Sequence, residues 1–157
     1  MKLYIRQRIF SWTDSYDVFD ESGEARYEVR GKFFTLGHQI QVFDKATGRE
    51  VGAIREKLFT ILPQFEIEIG GKTCGTVRKE LRLFKEDYRV DYRNWDVDGD
   101  ILGWNYRVMD GRREVLSIQK ELFRFSDTYC LHVGDPGDEL PGLLLALAID
   151  AANCTEK

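Results

Sequence analysis

The chain has 157 residues, 43% of them hydrophobic and 13% aromatic, which suffices for one domain spanning residues 1–157 and leaves no low-complexity tract to argue for disorder. A net charge of −4 argues against a nucleic-acid partner, whose phosphates call for an excess of clustered Lys and Arg. Cys74, Cys130 and Cys154 are an odd set without repeated spacing and read as reduced thiols, and MKLYIRQRIF has no apolar stretch of signal length; the expectation is a cytoplasmic protein, or one peripheral at a membrane surface.

Period-2 alternation recurs between turn residues along most of the chain. Lys2 to Arg8 sets Leu3 and Ile5 against polar neighbours. Tyr16 to Asp20 and Ala25 to Arg30 flank the turn Glu21-Ser22-Gly23-Glu24, and His38 to Asp44 and Arg49 to Glu56 flank Lys45-Ala46-Thr47-Gly48. Phe65 to Ile69 turns through Gly70-Gly71 into Lys72 to Lys79. Glu86 to Arg93 alternates Tyr88, Val90 and Tyr92 with Asp87, Arg89 and Asp91. Trp95 to Asp98 passes through Gly99 into Ile101 to Met109; Asp110-Gly111 turns into Arg113 to Glu121; Thr128 to Val133 completes about twelve strands. Three segments share one pattern, Ile54 to Phe59, Val77 to Leu81 and Ile118 to Phe123, each on the returning strand of a hairpin; this reads as a repeated supersecondary unit.

The only helix signal comes last. ELPGLLLALAIDAA, from Glu139 to Ala152, places Leu143, Leu144, Leu145, Leu147 and Ile149 in a run that is apolar on every side, so the helix must be buried on every side. It is too short to cross a bilayer, which takes roughly 20 apolar residues. Asp138 or Asp135 is the predicted cap, and Pro141 is tolerated in the first turn. Asp150 interrupts the run and is expected to emerge at the far end; kept inside, it needs a partner such as an arginine. The expected fold is all-β with one buried helix: a closed antiparallel barrel of about twelve strands, which leaves no exposed edge, around a central hydrophobic C-terminal helix. Trp12, Trp95 and Trp104 are expected to pack its wall or seal its ends.

An ordered set of residues carries a family resemblance. It runs from Trp95-Asp96-Val97-Asp98-Gly99-Asp100 through Tyr106-Arg107-Val108-Met109-Asp110 and Val115-Leu116-Ser117-Ile118-Gln119-Lys120-Glu121 to Asp127-Thr128-Tyr129-Cys130-Leu131 and the terminal LLLALAIDAA. In this order the chain resembles the LURP-one-related family, part of the tubby-like and phospholipid scramblase superfamily. The resemblance spans nearly the whole chain and implies a tubby-like, twelve-stranded barrel threaded by its C-terminal helix. Tubby domains are known for binding phosphoinositide head groups and scramblases for membrane association. No tubby-type basic head-group motif can be placed here residue by residue, so none is carried over.

Candidate chemistry is sparse, and no cofactor or metal site is expected. Asp96, Asp98 and Asp100 around Gly99 lack the spacing of a calcium loop and read as an Asp-rich turn. Cys130 lies two residues from His132, on one strand face, and is the one pairing that could serve a small thiol-dependent hydrolase or redox protein. Arg78, Lys79, Arg82 and Lys85 form one basic cluster and Arg107, Arg112 and Arg113 another. If those hairpins lie together they could meet an anionic head group; Glu80, Glu86, Asp87 and Glu114 among them equally suit an ordinary solvated surface. The leading expectation is a non-enzymatic binding or scaffold domain whose partner is a phospholipid head group or another protein.

Overall fold

Alternation becomes twelve strands in the structure, a computed structural model that describes residues 1–6, 15–34, 37–82, 85–121 and 128–154. They are β1 (Lys2–Ile5), β2 (Ser15–Phe19), β3 (Ala25–Phe34), β4 (Gly37–Asp44), β5 (Glu50–Glu56), β6 (Gln64–Ile69), β7 (Lys72–Arg82), β8 (Lys85–Asp91), β9 (Trp95–Asp100), β10 (Asn105–Asp110), β11 (Arg113–Glu121) and β12 (Thr128–Val133). One antiparallel sheet holds them in the order β8-β7-β6-β5-β4-β3-β2-β1-β12-β11-β10-β9 and curls into a nearly closed barrel. A single helix, α1 (Glu139–Cys154), follows β12.

Alternate side chains fill the lumen. Leu3 and Ile5 of β1, Val18 of β2, Val42 of β4, Phe65 and Ile67 of β6, Val108 of β10 and Leu131 and Val133 of β12 are all buried, and they meet Leu143, Leu144, Leu145, Leu147 and Ile149 of α1, none more than 1% exposed. Gly142 marks how closely wall and helix approach: a Cβ there would stand 2.4 Å from Leu116 Cδ2 of β11. The helix therefore supplies the atoms that a wide barrel cannot reach with its own side chains.

Antiparallel neighbours alternate direction, so the turns alternate between two rims. The entry rim, where α1 begins, carries the turns β2–β3, β4–β5, β6–β7, β8–β9 and β10–β11; the exit rim carries the others. Four entry-rim hairpins have a register shift beside the turn, at Val18/Phe19, Val42/Phe43, Ile67/Glu68 and Val108/Met109. Bulges raise local twist, and a set of them on one rim is how a long sheet curls shut. The fifth entry-rim turn, β8–β9, closes no ladder, so these two strands meet without pairing.

Three local readings change. The strand expected from Ile101 to Met109 starts only at Asn105; Gly99 lies inside β9 at φ +120°, and the reversal runs over Ile101 to Trp104, where Trp104 N–H donates to Ile101 O (3.2 Å). Asp96, Asp98 and Asp100 are thus strand residues rather than a turn. Asp135 does cap, but it caps a single 3-10 turn, Pro136–Asp138, through Gly137 N–H (2.8 Å), while Asp138 is a buried ion-pair partner. Trp12, the Gln7–Arg8 end of the first predicted strand and the Leu122-Phe123 end of the third repeat lie outside the described residues.

Asp150 does not emerge. It is 5% exposed, near the exit end of α1, where the Tyr16 and Tyr106 side chains face it. Its Oδ2 and the Tyr106 hydroxyl have no hydrogen-bond partner among the described residues, and burial alone pushes the carboxyl up to about 7. In the unfolded chain the group titrates near 3.8, so between the two values the folded protein holds a proton that the unfolded chain has released. The stability this lends is complete below about pH 4 and gone above about pH 7, a change on the order of 4 kcal/mol. Asp150→Asn should flatten that dependence and raise the melting temperature at pH 8; thermal denaturation across pH 4 to 8 with the slope of the parent would show the carboxylate to be hydrated.

Candidate functional site

The entry rim has a built polar centre. Asp138 and Glu139, at 3% and 4% exposure, are buried carboxylates at the point where the chain dives into the barrel. Arg93, in the β8–β9 turn, donates Nη1 to Asp138 Oδ1 (3.0 Å), and Arg113, opening β11, donates Nη1 to Asp138 Oδ2 (3.0 Å). Glu139 Oε1 accepts from Tyr27 Oη of β3 (2.7 Å) and from Arg26 Nε. Arg93 sits in the left-handed region (φ +48°), with its guanidinium over the Tyr92 ring, and Tyr92 and Trp95 pack edge-on at 4.8 Å beneath it. Both carboxylates lie at the positive end of α1, so position, charge and hydrogen bonds all fix where the helix starts. The centre is saturated by its own arginines and anchors the helix.

The basic residues flagged in the sequence do not converge. Arg107 is spent on Asp98 at mid-strand across the β9–β10 ladder (3.0 Å), whereas Arg113 is spent on Asp138 at the entry rim, beside exposed Arg112. Arg78, Lys79, Arg82 and Lys85 belong to the β7–β8 hairpin, whose turn is on the exit rim. Arg78 faces out and pairs with Glu80 (3.3 Å). Lys79 has the inward parity of Val77 and is only 3% exposed, which removes it from any outer patch. Arg82 and Lys85 are register partners beside the turn.

Cys130 and His132 share the outer face of β12, half-buried and exposed respectively. Burial, then the Glu121 carboxylate, push the Cys130 thiol up from its ordinary value, and a thiol held protonated is the reverse of an activated nucleophile. Cys74, also free, is pushed up by burial.

What sequence reading missed is apolar. Phe59 and Ile61 are fully exposed (103% and 102%) in the loop between β5 and β6, and Leu81 and Leu102 are 67% and 65% exposed. All four sit on the exit rim, and so does Leu58; of the large apolar side chains exposed among the described residues, only Met1 is elsewhere. Phe59 takes φ +63°, rare for an aromatic residue and costing about 1–2 kcal/mol, in a loop tied off by Lys57 N–H to Gln64 O (2.8 Å). The available signal was the run Leu58-Phe59-Thr60-Ile61-Leu62, apolar but for Thr60, in a connection between strands where polar residues are the rule. The surface depressions, such as one of about 330 Å³ bounded by Met1, Asp20, Glu21, Arg26 and Glu139, are open and rimmed with charge. No helix among the described residues is long and apolar enough to cross a membrane.

Fold and surface together define a helix-plugged β-barrel with a filled interior and an apolar crown on one rim. The chain belongs to the LURP-one-related family, whose model matches residues 1–150. It is 31% identical over 150 residues to the uncharacterised protein YxjI of Bacillus subtilis (strain 168), covering 96% of this chain and 92% of that protein. An X-ray structure of a protein from Arabidopsis thaliana superposes with a TM-score of 0.63 at 17% identity, over 97% of this chain and 90% of the other; that likeness is one of fold.

Two outcomes follow from the site. Asp138→Ala removes the acceptor of two arginine hydrogen bonds and should cost about 2 kcal/mol by denaturant unfolding, while Arg112→Ala, at the exposed residue preceding Arg113, should be silent. Cys130 should react with a maleimide at pH 7 only slowly, and faster once the protein is unfolded; fast labelling of the folded chain would revive the thiol chemistry.

Proposed function

We propose that this chain is a non-enzymatic binding module that works through its outer surface, with a phospholipid surface as the partner of its exit rim. The observation that carries this is the filled lumen: α1 occupies the space in which a barrel enzyme or carrier would hold a ligand, and its inward leucines have at most 1% exposure. Binding then falls to the exterior. The exit rim is where exposed apolar side chains collect, on separate loop tips instead of in a shaped groove, and separate convex tips suit a fluid interface better than a rigid partner. Arg78, Arg82 and Lys85 lie toward the same rim and would stand beside anionic head groups.

The two contributions differ in their salt dependence. Charge attraction weakens beyond a Debye length of about 8 Å at physiological ionic strength. Immersing Phe59 and Ile61 is worth about 1.5–3 kcal/mol each at full burial and is indifferent to moderate salt. Co-sedimentation with vesicles of mixed phosphatidylcholine and phosphatidylserine should therefore weaken with added salt but persist. The Phe59→Ser/Ile61→Ser variant, folded as judged by circular dichroism, should bind at least about tenfold more weakly. Equal sedimentation of variant and parent would refute the assignment of this rim to lipid.

A further inference from the structure

The barrel is open at one place, between β8 and β9. Antiparallel strands joined by a short turn ordinarily pair, and the other four entry-rim hairpins do so. Here Arg93 is drawn to Asp138, the Tyr92 and Trp95 rings are stacked edge-on beneath the turn, and Trp95 N–H donates back to Tyr92 O (3.2 Å). The strands leave that turn without a ladder, so β8 pairs only with β7 and β9 only with β10. Each keeps one free edge of backbone donors and acceptors, and free edges are where extended chains add.

The charge around the seam is one-sided. Asp91 of β8 and Asp96, Asp98 and Asp100 of β9 stand on the outer face, against Arg89 of β8 and Arg107 of β10. Arg89 pairs with Asp91 (3.5 Å) and Arg107 with Asp98 (3.0 Å), which leaves the seam acidic. A second copy of the chain pairing β9 to β9 would set aspartate rows opposite each other, a repulsive cross-strand arrangement. The same charges favour a strand whose outward side chains are Lys or Arg. At the foot of β9 the Trp95 indole N–H, 3% exposed, has no acceptor among the described residues.

From this geometry we infer that the β8–β9 seam is a docking edge for an extended, basic segment of a partner protein, which adds to β9 antiparallel as a further strand. Main-chain hydrogen bonds to the free edge hold it, and alternate Lys or Arg side chains meet Asp96 and Asp100. This is separate from the lipid reading, because the seam runs along the wall and Phe59 and Ile61 are not part of it.

The full chain can be titrated with a capped fluorescent peptide of about six residues alternating lysine and valine. Controls are the glutamate–valine counterpart and the lysine peptide with every second amide N-methylated. The lysine peptide should bind, the glutamate peptide should not, and N-methylation should abolish binding because it removes ladder donors while keeping the charge. Asp96→Lys/Asp100→Lys should weaken the lysine peptide by about tenfold and leave vesicle sedimentation unchanged. Hydrogen exchange should show β9 amides outside the β10 ladder exchanging fast in the free protein and slowly with peptide. Equal binding of the N-methylated peptide, no binding of the lysine peptide, or β9 amides already protected without peptide would each overturn the proposal.

Discussion

A helix apolar on every side has nowhere to sit in water, and a sheet of twelve strands rolled into a tube has no way to fill its axis. Each needs the other, and the rest of this structure depends on that mutual burial. The wall turns Val18, Val42, Ile67, Val108 and Leu131 inward, and α1 meets them with five large aliphatic side chains almost wholly removed from water. Burial of one such side chain is worth about 1.5–3 kcal/mol, so no surface ion pair, at about 0–1 kcal/mol, compares with it. The position of Gly142, where a Cβ would collide with Leu116, shows that the fit is set by contact and not by composition alone.

Polar groups are distributed unequally along that axis. At the entry rim two buried carboxylates are matched by Arg26, Tyr27, Arg93 and Arg113, and this fixes the depth and direction of the helix. At the exit end the Tyr106 hydroxyl and one Asp150 oxygen lack partners among the described residues, though the Tyr88 hydroxyl does donate to Asn153. The entry end resists displacement, and the exit end carries a titratable weakness. A carboxyl that burial makes neutral is tolerated in a core; the same group ionised is not.

Most of the architecture was legible in the sequence for a physical reason. Period-2 patterning survives wherever one strand face is dry and the other wet, and it located all twelve strands; the unbroken run from Leu143 to Ile149 could only be interior. Legibility failed where tertiary contacts overrode local chemistry. Gly99 reads as a turn but sits in a strand, its positive φ serving a close approach to Asn105 and Tyr106. Lys79 reads as surface, but its parity on β7 sends it inward. Whether the two basic clusters lie together was not legible, because sequence does not reveal which rim a hairpin occupies; antiparallel alternation puts the β7–β8 and β10–β11 turns on opposite rims. Arg93, unremarkable in the sequence, is the residue on which the entry clasp turns.

The clasp and the seam meet at one turn. Arg93, at φ +48°, holds Asp138 from the turn between β8 and β9, and the strands on either side of that turn share no ladder. A barrel that wanted only stability would close, since paired edges resist aggregation. This one keeps its edge open and lines it with aspartates, which deter self-pairing of identical chains while leaving the backbone available to a strand of opposite charge. The helix takes up the interior, and what the fold leaves uncovered lies on the exit rim and along the seam.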